Sequence, residues 1–273
     1  MKNKPSLFQT SPARAALMVT APWLVVAAGK LNAQVSYPTQ GSLYSQNFDG
    51  LFSVVPTNNT ITAGAILPAG WSFLEAGANA NTTLRVDPGT QGTGDTYLFG
   101  ATASNERAFG SYASGSLSNQ FGIQLINNSG STINSFTITY DGEQWKDGGS
   151  GTAVFNKLTF SYAFGAASLT NGTYQNATAL DFTALVNNTS ADAAKDGNNA
   201  SFRTAGITTT ISDPWTAGTS LWLRWSDLNE TGNDDGLAID NFSLTTPVPE
   251  PRVLAFLGLG LTAWWGLRRR DRK

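Results

Sequence analysis

The chain has 273 residues, 17 Lys and Arg against 19 Asp and Glu, a formal charge of −2, and neither cysteine nor histidine. That composition excludes disulfides, thiolate nucleophiles and Cys-ligated zinc, and it removes Ser-His-Asp chemistry and imidazole-bound metal. Residues 34–246 hold only seven of the basic side chains but seventeen of the acidic ones, so this body carries about −10, a poor surface for nucleic acid.

Residues 1–33 read as a secretory signal peptide. Lys2, Lys4 and Arg14 form its positive n-region, residues 15–28 its apolar helix, and Leu31-Asn32-Ala33 a cleavage site after Ala33. Val26-Ala27-Ala28 is a competing site. The single Arg before the apolar run favours the general secretion route over the twin-arginine one.

The body, 34–246, is long enough for one domain with a substantial core. Its pattern is β. Phe121, Ile123 and Leu125 alternate with small or polar residues, as do Phe136, Ile138 and Tyr140, then Leu158, Phe160 and Tyr162, then Leu221, Leu223 and Trp225. Between these runs lie turn clusters such as Asn127-Asn128-Ser129-Gly130 and Asp196-Gly197-Asn198-Asn199. No helical period persists over three turns and no internal repeat is visible. Ten or more short strands with polar turns predict an all-β, two-sheet β-sandwich, most simply a jelly roll. In the last strand Leu237 and Ile239 share one face, yet Phe242 and Leu244 share the other. A one-residue slip of phase is what a β-bulge produces, and it falls at Asp240-Asn241.

Residues 247–273 form a third segment. Prolines at 247, 249 and 251 impose an extended elbow. An uncharged apolar run, 253–267, follows and would span about 22 Å as a helix, short of the roughly 30 Å hydrocarbon core. Trp264 and Trp265 suit the membrane interface and the terminal arginines the cytoplasmic side. A plain anchor or a helix packed on the domain is the alternative. The order Val248-Pro249-Glu250-Pro251, apolar run, then Arg268, Arg269 and Arg270 resembles the PEP-CTERM sorting signal of exported bacterial proteins. That resemblance implies recognition by a membrane-embedded exosortase, processing near the Pro-Glu-Pro, transient membrane contact through the C-terminal helix, and a destination at the cell surface or in the extracellular polysaccharide (biofilm) matrix.

The body is also similar to the β-sandwich surface proteins that carry such tails, through its opening Asn47-Phe48-Asp49-Gly50 and Gly70-Trp71 and its closing residues 234–244. In carbohydrate-binding jelly rolls an acid near the first strand and one near the last often share calcium. Here the resemblance maps those positions to Asp49 and Asp240, with Asn241 or nearby carbonyls completing a structural calcium shell of six to eight oxygens. The loop 229–236 does not make an EF-hand, because alignment on Gly236 puts Thr231 and Phe242 where acidic ligands belong.

Glu143 and Trp145, just after the 136–140 strand, and Trp222, opposite in phase to Leu221 and Leu223, are candidates for stacking and hydrogen-bonding a sugar; burial of the indoles is the competing reading. Glu143 with Asp227, Glu230 or Asp235 would meet a glycosidase's need for two carboxylates only if folding brought them about 5–9.5 Å apart. The expectation is therefore an exported, non-catalytic surface or matrix protein, with a carbohydrate-binding module or a glycoside hydrolase as the alternative.

Overall fold

In a computed structural model the described residues are 26–28, 34–52, 59–62, 67–149, 155–187 and 193–249. The first strands are β1 (Val26–Ala28), β2 (Val35–Tyr37), β3 (Leu43–Gln46), β4 (Asn59–Thr62), β5 (Trp71–Ala76), β6 (Thr83–Asp87), β7 (Asp95–Phe99), β8 (Ala108–Tyr112) and β9 (Ser118–Asn127). Then come β10 (Phe136–Asp147), β11 (Lys157–Phe164), β12 (Gln175–Asn176), β13 (Phe182–Thr183), β14 (Ala193–Ala194), β15 (Arg203–Ile211), β16 (Ser220–Asp227) and β17 (Gly236–Thr245). Among the described residues the only helical element is one 3-10 turn at Thr178–Leu180.

Two sheets face each other. The first runs β1-β5-β9-β16-β11-β12, with β2 also beside β9 and β13 beside β11. The second runs β14-β10-β17-β8-β7-β6-β4, with β15 also beside β10 and β3 beside β17. Pairing is antiparallel except between β2 and β9 and between β6 and β7. The expected all-β sandwich is thus present. Its expected helices and most targeting residues (Ala33, Glu250, Pro251, Arg268, Arg269 and Arg270) lie outside the described residues. Of the expected signal helix only Val26–Ala28 is described, and it is an edge strand on Leu74–Ala76 of β5.

The four alternating runs become β9, β10, β11 and β16, and each turns its apolar side to the space between the sheets. Phe73, Phe121, Trp225 and Phe160 are in register across β5, β9, β16 and β11. Trp225 stacks on Trp71 and Phe121 at 6.1 and 5.9 Å and meets Tyr140, Phe160 and Phe242 edge-on. Each such ring removes some 150–250 Å² from water, worth about 4–6 kcal/mol at 25 cal/mol per Å². Burial of this kind stands in place of disulfides.

The bulge read from the sequence is present. Thr139 pairs with Ser243 but Asp141 pairs with Asp240, so β17 has one residue more than β10 there. Asn241 absorbs it at φ 51°, and Leu237, Ile239, Phe242 and Leu244 all reach the core. On its other side β17 is bordered by two strands in succession, β8 along 236–239 and β3 along 242–245. The gap between these two neighbours falls at Asp240-Asn241. The candidate site is built there.

Candidate metal centre

Four segments meet at that gap. β17 brings Asp240, β10 brings Glu143, the turn before β8 brings Glu106, and the turn after β3 brings Asp49. The two turns are tied together: Arg107 N–H donates to Asp49 Oδ1 at 3.2 Å and Gly50 N–H to the Asn105 carbonyl at 2.9 Å. Phe48 takes φ 55°, which sends its ring into the core against Trp71 at 4.8 Å while the next residue, Asp49, stays exposed.

Glu106, Glu143 and Asp240 each present a ligand oxygen within 4.8 Å of the other two. Glu143 is 0% and Asp240 4% exposed, and Glu106 is half-buried. Each carboxylate is held by a hydrogen bond: Glu106 Oε2 accepts from Asn198 Nδ2 at 2.6 Å, Glu143 Oε2 from Trp145 Nε1 at 2.9 Å, and Asp240 from the Asn241 N–H. Each also leaves one buried oxygen, Oε1, Oε1 and Oδ1 respectively, without a partner. Buried oxygens in that state cost roughly 1–3 kcal/mol apiece.

The local field resists three negative charges. Burial, reinforced by Asp240, pushes Glu143 up to about 9 despite the Trp145 hydrogen bond. Burial raises Asp240 to about 8 against the Asn241 N–H, and the charges of Glu106, Asp49 and Asp141 add to the effect. Glu106 is raised mainly by burial, with Asn198 and Arg107 opposing and Asp49 and Asp196 adding to the rise. Arg203 is engaged by Asp141 at 2.6 Å. A hard cation is what oxygen-only, anionic, pre-oriented donors accommodate.

The sequence placed one of the three carboxylates, Asp240, in a metal site. Asp49 lies at its rim, near enough for its charge to raise Asp240 and Glu106. Asn241, expected with nearby carbonyls to complete the shell, donates its side-chain NH₂ to Asp141 Oδ2 at 3.0 Å and absorbs the bulge. Glu106 was missed, since its turn has no strand period. Glu143 belongs to the carboxylate centre rather than to an open sugar site.

Of the two readings of the indoles, sugar stacking or burial, burial is the one the structure shows. Trp145 is 1% exposed, stacked on Phe99 at 6.1 Å, and lies under residues 195–197, whose Lys195 N–H donates to the Trp145 carbonyl. Trp222 is fully buried, and its Nε1 donates to the Ala166 carbonyl in the β11–β12 connection that folds over the first sheet. Neither ring can stack a ligand from solvent. The carboxylates considered as partners for Glu143 have other attachments. Asp227 is buried against Ser111 Oγ, Glu230 and Asp234 both accept from Asn156, and Asp235 accepts from the Gly148 N–H.

No protein-family model and no curated protein matches the chain. Among solved structures it is similar to the CBM22-1 xylan-binding domain of Paenibacillus barcinonensis Xyn10C, at 10% identity and TM-score 0.34 over 78% of this chain and 99% of that one. It is also similar to the family 11 carbohydrate-binding module of Lic26A-Cel5E from Clostridium thermocellum (10%, TM-score 0.34, 77% and 98%) and to the K2 cleaved adhesin domain of Lys-gingipain (15%, TM-score 0.34, 76% and 99%). Likeness of this degree carries no conclusion about what the chain binds.

Proposed function

We propose that the chain is an exported, non-catalytic protein of the cell surface or the extracellular polysaccharide matrix, whose sandwich is fastened by a divalent cation of the calcium class. The observation that carries the cation reading is the convergence of Glu106, Glu143 and Asp240, each with a buried oxygen that no hydrogen bond satisfies. Those three would hold the ion, with Asp49 adding charge from the rim. The ion would join β8, β10 and β17 where the neighbour of β17 changes from β8 to β3. In a cysteine-free exported domain that cross-link has the place a disulfide often takes.

The destination is supported by the two targeting segments. The secretion machinery would export the chain, and an exosortase would act at Val248-Pro249-Glu250-Pro251. Val248 is 73% exposed, and Pro247 and Pro249 are exposed beside it. The non-catalytic reading rests on a composition without His or Cys.

Calorimetric titration of calcium into exported protein stripped by chelator tests the cation reading. One-to-one binding that Asp240→Asn abolishes is expected; no binding to the stripped protein would refute it.

A further inference from the structure

Next to the carboxylates lies a second site of different chemistry. An outward-facing groove of about 360 Å³ between β3 and the bulged part of β17 is lined by Ser45, Gln46, Asn47, Asn241, Phe242 and Ser243. That volume is within the range of small-ligand sites, about 300–1,000 Å³. Phe242 is fully buried, so the side chains the groove turns to solvent are those of Ser, Gln and Asn, which carry hydroxyls and amides. These donate and accept without charge. The exposed Asp49 carboxylate, held by the groove's own Asn47, disfavours an anion there.

The groove is pre-organised. Asn47 Nδ2 donates to Asp49 Oδ2 at 2.7 Å and Asn241 Nδ2 to Asp141 Oδ2 at 3.0 Å, which fixes both amides. Asn241, one of its lining residues, has positive φ at 51°. Left-handed backbone at a non-glycine residue costs about 1–3 kcal/mol and concentrates at functional sites.

The groove also continues. Ser45 is in register with Ser243, Ser243 with Thr139, and Thr139 with Thr208. At about 4.8 Å per strand this hydroxyl row is roughly 14 Å long. Thr245, Thr137 and Thr210 form a second row beside it. Within the rows Thr139 and Thr208 share a hydrogen bond of 2.8 Å and Thr137 and Thr210 one of 2.7 Å, so the hydroxyl positions are set. Thr208 and Thr210 are exposed and Thr137, Thr139, Ser243 and Thr245 half-buried.

We propose that the groove and its hydroxyl row bind a neutral polyhydroxylated polymer, a stretch of uncharged polysaccharide laid across the strands of the second sheet. The proposal rests on the matrix reading for its setting, not on the cation. Hydroxyls and amides match a sugar's own donors and acceptors, and the Asp49 carboxylate beside the groove disfavours uronates and phosphates. Without an aromatic platform, affinity comes from hydrogen bonds to several sugar units.

Ligand-observed NMR on the full-length chain tests it, with neutral glucan, xylan and galactan oligosaccharides, oligogalacturonate as the anionic control, and each run in calcium and in chelator. At least one neutral oligosaccharide should bind better than the anion, and should do so in chelator as well. Ser45→Ala and Ser243→Ala, which touch no carboxylate, should each weaken binding about fivefold, the worth of one hydrogen bond, with thermal stability unchanged. Asn241→Gly removes a groove amide while keeping the backbone shape and should weaken it likewise. The proposal is overturned if no neutral oligosaccharide binds, if the anion binds better, or if binding is indifferent to all three variants. Binding found only in calcium and indifferent to the variants would put the sugar on the cation instead. Failure of calcium binding alone would leave the groove standing.

Discussion

Glu143→Gln separates a cation ligand from a structural hydrogen-bond acceptor. Gln retains the size and the oxygen that accepts from Trp145 Nε1, and removes only the charge. Two charged carboxylate oxygens no more than 4.8 Å apart repel by at least about 3 kcal/mol at an effective dielectric near 20, and burial already biases Glu143 toward its protonated form. Without a cation the substitution therefore leaves stability unchanged or raises it. With a cation the sign reverses. At a hundredfold excess of ion over its Kd, the wild type gains about 2.7 kcal/mol, or roughly 5–11 °C in Tm for a domain of this size, and the variant loses most of that increment. Differential scanning calorimetry of both proteins in chelator and in calcium reads all four states. An equal fall of the variant's Tm in both media would make Glu143 a structural acceptor and no ligand. A wild type indifferent to calcium would remove the centre altogether.

Three further outcomes follow from other parts of the molecule. Asn241→Gly should leave stability within about 0.5 kcal/mol of wild type in urea titrations, whereas Asn241→Val, forced into a left-handed conformation at φ 51°, should lose roughly 1–2 kcal/mol; equal effects would place Asn241's importance in its side chain. Glu75 is buried where it accepts from the Thr96 N–H and hydroxyl and the Asn81 N–H, and burial raises it from 4.5 to about 7. Its folded state holds the proton more tightly than the unfolded chain, so its contribution is full below pH 4.5 and is lost as pH rises through about 7; thermal melts of Glu75→Gln should show a flatter pH profile over that window, and a slope unchanged from wild type would exclude Glu75 as its source. Intact-mass and C-terminal peptide mapping of protein from its native host should find a product ending near Pro249-Glu250-Pro251 in the surface or medium fraction. An intact 268–273 tail in the membrane fraction would instead mean a simple anchor.

Much of the fold was legible because the relevant signal is local. Alternation identifies β9, β10, β11 and β16 because a strand's side chains change face at every residue, and the slip from Ile239 to Phe242 marks the bulge for the same reason. The failures have one physical cause. Alternation assigns Trp222 to an outer face and stops short of Trp145, just past its strand, and both do point away from the space between the sheets. It does not show what lies on those faces. Residues 195–197 cover Trp145 and the β11–β12 connection covers Trp222, contacts between segments far apart in sequence. Glu106 was invisible on the same account, since only the adjoining of β3 and β8 along β17 brings its turn to Asp240.

One extra residue in β17 connects these features. Had the strand kept phase, Phe242 and Leu244 would face solvent, because a one-residue shift of register exchanges the two faces. The bulge returns both to the core, where Phe242 closes on Trp71 and Trp225 at 5.4 and 5.8 Å. It leaves Asp240 directed outward beside Glu143 and Glu106, and it sets Asn241 against Asp141 at the wall of the groove. It falls, too, where β17 changes partner from β8 to β3, so the ladder is interrupted on that side. A cation bridging β8, β10 and β17 would reinforce the second sheet at that interruption. The carboxylates' unsatisfied oxygens are then the cost of keeping a cross-link that forms only when an ion is supplied, in a chain with no cysteine to make a permanent one.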